Sequence, residues 1–236
     1  MVVTALVSGG KDSCYSAYLA DCQGRTVDEL LVLRPSDPDS LLFHTPNLEL
    51  VELQARAWGK ECRFEEVKGI GERAETEALE RALRNHAGWV VAGAIASAYQ
   101  WTRLHSVCYQ LGRPLFTPLW GKAAPRVVRA EIDAGLDIRL VHLSAEPLGS
   151  EWIGRRLDLA TLGELERLSQ SVRAVHVAGE GGEFESLVLD APFFRERLVL
   201  DRTEVITSRS VTSLRVREAH LEPKTEGPGR SAPPPA

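Results

Sequence analysis

Residues 6–13 read LVSGGKDS. The apolar run VVTALV (2–7) leads into them, and CYSAYLADCQG (14–24) follows. A continuous apolar run predicts a buried strand over 2–8. The segment after it predicts a helix over 13–22, with Ser13 as its cap and Gly24 just past its end. The glycines, lysine, aspartate and serines therefore stand at a strand-to-helix turn. Such a turn aims backbone N–H groups outward, and the helix N-terminus adds partial positive charge, so the two together make an anion site. Lys11 adds a full charge, and Ser8 and Ser13 add hydroxyl donors. Asp12 has little purpose beside a bare phosphate unless it meets a metal ion or an amide. The string is neither G-x-x-x-x-G-K-[ST] nor G-x-G-x-x-G. By composition alone, a solvated helix cap on an ordinary Gly-Gly turn stays open.

Working outward, strand-like and helix-like stretches alternate. ELLVL (29–33), RFEEVKG (63–69) and WVVAGAI (89–95) read as strands; 48–58, 72–85 and a stretch ending near 111 read as helices. Alternation at this spacing predicts parallel strands with crossover helices on both faces, an α/β sheet. After about residue 125 the pattern changes. GKAAPRVVRAEIDAGLD (121–137) reads as a helix ending at Gly135, and 161–171 as another. IRLVHLSA, AVHVA and ESLVLD read as strands, while RLVLDRTEVITS (197–208) and SVTSLRVREAHLE (210–222) alternate like antiparallel strands. The expected division is 1–125, an α/β nucleotide domain; 126–222, a smaller α+β domain for substrate; and 223–236, a tail rich in proline and glycine with no apolar periodicity.

Composition narrows the class. The net charge of −5 and pI of about 5.8 carry no nucleic-acid footprint. Cys14, Cys22, Cys62 and Cys108 form no C-x-x-C pair, so neither a zinc ribbon nor a dithiol redox site is suggested. No apolar run approaches the ~20 residues that span a bilayer, and the N-terminus enters a strand pattern directly. A cytoplasmic protein with reduced thiols, no nucleic acid and no membrane is expected.

The complete LVSGGKDS string at the first strand–helix junction resembles the PP-loop of the N-type ATP pyrophosphatases. That resemblance implies a Rossmann-like sheet that binds ATP, cleaves it between the α- and β-phosphates and leaves AMP on a substrate oxygen. Four further stretches narrow the likeness: FHTPN (43–47), GAIASAYQWTR (93–103), PLWG (118–121) and GEGGEFESLVLDAP (179–192). Singly, each has a plain explanation, such as a loop histidine, packing aromatics or a solvated hairpin turn. In this order, over residues 1 to about 220, they resemble the diphthine–ammonia ligase family in its short form. Ser186 stands where threonine is usual, and Ala94 where some members carry aspartate.

The resemblance implies ATP-dependent amidation of diphthine to diphthamide on translation elongation factor 2, with ammonium as nitrogen donor and AMP and pyrophosphate as products. It implies that Ser8, Gly9, Gly10, Lys11, Asp12 and Ser13 hold the phosphates, with Asp12 on Mg²⁺. His44, Ser97, Tyr99, Gln100, Arg103 and Trp120 are expected to line the substrate pocket with Glu180, Gly181, Gly182 and Glu185. Glu183 is expected to act with Lys11 and Asp12 in catalysis by accepting a proton from ammonium. A homo-oligomer is left open. Two alternatives stand beside this reading: a related ATP pyrophosphatase amidating another carboxylate, and a non-catalytic nucleotide-binding regulator.

Overall fold

The computed structural model describes residues 2–35, 47–144, 146–170, 175–208 and 211–224. Strands β1 (Val2–Leu6), β2 (Glu29–Pro35), β3 (Glu61–Val67), β4 (Gly88–Val91) and β5 (Leu115–Phe116) form one sheet. Its order is β3-β2-β1-β4-β5, with every neighbouring pair parallel. Parallel neighbours need long crossovers. Helices α1 (Lys11–Cys22), α2 (Leu50–Trp58), α3 (Glu72–Arg84) and α4 (Ala98–Gln110) supply them. Alternation along the strands sorts the core into two layers. Val3, Ala5, Val7, Leu30 and Val32 pack with Ala17 of α1 and Val51 and Ala55 of α2. Leu6, Leu31, Leu33 and Val90 pack with Leu79 and Leu83 of α3 and Leu104 of α4. The sheet is therefore covered on both faces, as the alternating pattern predicts.

The winding reverses between β1 and β4, because β2 and β3 lie to one side of β1 while β4 and β5 lie to the other. The segments that leave the carboxyl ends of β1 and β4 diverge there, which opens a crevice at the place where α/β sheets bind ligands.

The second half builds α5 (Ala124–Asp133), β6 (Asp137–Leu143), α6 (Leu159–Ser169), β7 (Phe184–Asp190), β8 (Glu196–Ser208) and β9 (Val211–Pro223). The four strands make an antiparallel sheet in the order β7-β6-β9-β8. This sheet packs on α1 and α2, and one buried cluster runs through both halves. Phe193 lies against Tyr18 and Trp58, with ring centroids 4.6 and 4.3 Å away. Asn47, the last residue of FHTPN, is buried with φ 61°, a conformation asparagine tolerates better than most residues. Its amide donates to the Leu214 carbonyl and accepts the Val216 N–H, both at 2.9 Å, which stitches β9 to the first half.

Several boundaries differ from those the sequence suggests. Helix α1 begins at Lys11 with Gly10 as its N-cap, so Ser13 lies within its first turn. Strand β4 stops at Val91, short of the expected Ile95, because the chain must leave the sheet at Gly93 to pass α1. A Cβ on Gly93 would stand 2.7 Å from the carbonyl carbon of Asp12. The two-residue β5 was too short to register as a periodic run. Residues 175–178, from AVHVA, are turn and irregular chain instead of strand. Among the described residues no helix is long and apolar enough to cross a membrane. His44 and residues 225–236 of the tail lie outside the described residues.

Candidate active site

The cleft at the β1/β4 reversal is lined by Ser8, Gly10, Lys11, Asp12 and Ser13 from the loop and α1. Gly93, Ala94 and Gln100 follow β4, and Glu180, Glu185 and Ser186 come from the second half. The loop and the late acidic string, some 170 residues apart in sequence, thus share one cavity.

The loop is held from behind. Gly9 has φ +82° and is buried. Its carbonyl accepts the Val188 N–H at 3.0 Å and the Gln54 side-chain amide at 3.0 Å, and the same amide donates to the Val188 carbonyl at 2.7 Å. The Lys11 N–H donates to the Ser186 hydroxyl at 3.2 Å. Ser186 therefore places a hydroxyl at the helix N-terminus. No side chain of the loop caps α1, which leaves first-turn N–H donors for a ligand. The Ser13 hydroxyl donates to the Gly10 carbonyl at 3.0 Å, drawing the turn tight.

Lys11 is 1% exposed. Its ammonium donates to both oxygens of Asp12, at 2.7 and 2.6 Å, and lies 4.0 Å from the Glu131 carboxylate. Burial works against that ammonium, but the carboxylates of Asp12 and Glu131 outweigh it and raise the lysine above its ordinary value. Glu131, on α5, is 0% exposed, and no N–H or O–H of a described residue donates to either of its oxygens. Burial raises its carboxyl well above the usual range, against the pull of Lys11. The sequence reading passed over both Glu131 and Gln54. A signal existed: each falls on the apolar stripe of its helix, with Val127 and Val128 or with Val51 and Ala55, where a polar residue calls for explanation.

Of the residues expected in the substrate pocket, Gln100, Glu180 and Glu185 line the cleft. Glu180 accepts the N–H groups of Ala96 and Ser97 at 2.9 and 2.8 Å. The other described ones are not among the residues that line the cleft. The Ser97 hydroxyl accepts the Gln100 N–H at 3.3 Å and so caps α4. The Arg103 guanidinium covers the Tyr99 ring, 3.3 Å from its centroid, and pairs with Glu72 of α3. Trp120 stacks on Trp101 at 5.1 Å. Gly181 and Gly182 belong to a turn that Gly182 enters with φ +81° and closes through its N–H on the Gly179 carbonyl at 3.0 Å.

Glu183 departs furthest from its expected catalytic role. Its carboxylate accepts the N–H groups of His176 and Gly181, both at 2.9 Å, and it does not line the cleft. A carboxylate spent on two backbone donors inside its own turn orders that turn. The acidic groups of the second half that line the cleft with Lys11 are Glu180 and Glu185.

Asp12 is the carboxylate of the loop itself, and its side chain is 25% exposed. Among the described residues no cluster of three or more His, Cys, Asp or Glu side chains could hold a metal ion by itself. That donor set suits a cation that arrives with phosphates and takes one or two protein carboxylates.

Residues 1–114 match the model of the diphthamide synthase N-terminal domain, and residues 124–220 that of the diphthamide synthase C-terminal domain. The chain is 31% identical to the diphthine–ammonia ligase of Danio rerio, over 96% of this chain and 98% of that one. It is 30% identical to the diphthine–ammonia ligase of Homo sapiens, over 95% of this chain and 94% of that one. A diphthine–ammonia ligase of Schizosaccharomyces pombe is 32% identical over 92% of this chain, which spans 39% of that longer protein.

Proposed function

The chain belongs to the diphthamide synthase family, and on that footing we propose that it converts diphthine to diphthamide on elongation factor 2, using ATP and ammonium. The observation that carries the reading is the single cleft in which the LVSGGKDS loop faces Glu180 and Glu185. Residues 1–125 provide the nucleotide site and residues 126–222 the substrate side. The reaction belongs to the cytoplasm, where elongation factors work.

A carboxylate does not exchange its oxygen for ammonia, because oxide is too poor a leaving group. Attack of the diphthine carboxylate on the α-phosphorus of ATP breaks the bond to the β-phosphate and releases pyrophosphate. Ammonia then attacks the acyl carbon, AMP leaves with the electron pair of the cleaved C–O bond, and one proton is given up. The loop N–H groups and Lys11 neutralise the charge that develops on pyrophosphate from fixed positions. Mg²⁺ bound by the phosphates and Asp12 would add Lewis-acid charge there. Glu185 and Glu180 stand where an ammonium ion would approach, and either carboxylate can take its proton.

The test is to supply diphthine-bearing elongation factor, ATP and ¹⁵N-ammonium to the purified chain. The expected products are AMP, pyrophosphate and one labelled amide. ADP as the stoichiometric product, or no labelled amide, contradicts the proposal.

A further inference from the structure

Glu131 has no part in the chemistry above, yet its surroundings are costly. A fully buried carboxyl group without a donor is destabilising unless a charge stands near it. The one cation within ion-pair distance of Glu131 among the described residues is Lys11, at 4.0 Å. An ammonium has three donors. Asp12 engages it through both oxygens and is the more exposed partner, at 25%, on the side of the cleft. Glu131 approaches from the floor, fixed to a helix whose neighbours Val127 and Val128 are themselves buried.

This arrangement leaves Lys11 occupied by its neighbour in sequence. For Lys11 to meet a phosphate and Asp12 to meet a cation, the pair between them has to open. Opening it would strand a 1%-exposed ammonium until the phosphate arrives, which is unfavourable in a buried site unless a second carboxyl group takes over. Glu131 is in place to do so. We propose that Glu131 is a positioning residue that anchors the Lys11 ammonium at the floor of the cleft when Asp12 turns to the ligand. The inference rests on the ATP-dependent reading of the site for its kinetic consequences, though not for the local electrostatics.

The kinetic test is a double-mutant cycle. Glu131→Gln keeps the shape and removes the carboxyl group. Turnover is expected to fall about tenfold with little change in the KM for ATP, the size of coupling usual for contacting groups. Glu131→Asp, which keeps a carboxyl group, is expected to recover part of the loss. Added to Lys11→Ala, Glu131→Gln is expected to cost nothing more, because the group it positions is gone. Unchanged turnover in Glu131→Gln, an equal further loss in the Lys11→Ala background, or no recovery in Glu131→Asp overturns the proposal.

A chemical test needs neither diphthine nor turnover, so it separates this inference from the proposed reaction. Asp12→Asn mimics release of Asp12. In that variant Lys11 is expected to stay protected from acetic anhydride, as read by peptide mass spectrometry. Adding Glu131→Gln is expected to speed its acetylation by about tenfold, since the local interaction holding the ammonium is lost. If Lys11 is acetylated as fast in Asp12→Asn as in the double variant, Glu131 does not anchor it.

Discussion

The Glu180 carboxylate accepts the Ser97 N–H at 2.8 Å, across a sequence separation of 83 residues. The same oxygen takes the Ala96 N–H, so a turn of the second half supplies negative charge at the N-terminus of α4 in the first. The contact closes one side of the cleft and ties its two walls together.

Glu180→Ala is expected to lower stability by about 1 kcal/mol, the usual worth of an acceptor at a helix N-terminus. For a chain of this size the melting temperature should fall by ~2–4 °C. Scanning calorimetry checks it. An unchanged Tm would mean that water replaces the carboxylate without loss.

Lys11→Met keeps much of the buried stem and removes the charge. Turnover is expected to fall by about 10²–10³, typical for one stabiliser of developing transition-state charge. Initial rates of AMP formation measure it. Lys11 is buried and paired, unlike a solvated loop lysine, so the variant is also expected to melt earlier than the wild type.

Gly93→Ala is expected to damage both fold and activity. The new Cβ would stand 2.7 Å from the Asp12 carbonyl carbon and 2.8 Å from the Ser13 nitrogen, and backbone cannot swing aside as a side chain can. Either the loop after β4 or the first turn of α1 must shift. Circular dichroism melting and ATP affinity together report it. Wild-type values for both would show that the chain at this position relaxes freely.

Burial pushes the Cys14 and Cys108 thiols from an ordinary 9.0 to about 12. At pH 8 neither offers thiolate, so native iodoacetamide should label the exposed Cys22 and spare these two until the chain is denatured. Above pH 9 the unfolded chain releases thiol protons that the folded chain keeps. The unfolded state then binds fewer protons, and stability falls as pH rises from about 9 towards about 12. Chemical denaturation at pH 8 and pH 10 gives the sign.

Much of the first half was legible in the residues themselves. Apolar runs such as VVTALV and ELLVL, separated by helical stripes, can bury their surface only as strands covered on both faces, and LVSGGKDS carries its turn within eight residues. The paired late strands were legible for the same reason, since period and turn residues are local properties. Tertiary structure decided the rest, because it depends on which distant groups meet. Nothing near Glu183 in sequence says that its carboxylate folds back onto the His176 N–H, while Glu180 reaches Ser97. Gln54 reads as one polar residue on a helix until Gly9 and Val188 arrive to receive its amide. Glu131 acquires its meaning when α5 packs against α1 and brings it within 4.0 Å of Lys11. Local periodicity determines the elements and the loop. The pairing of buried polar groups, whose energy depends on burial and on a few ångströms of separation, is settled only when the two halves pack together.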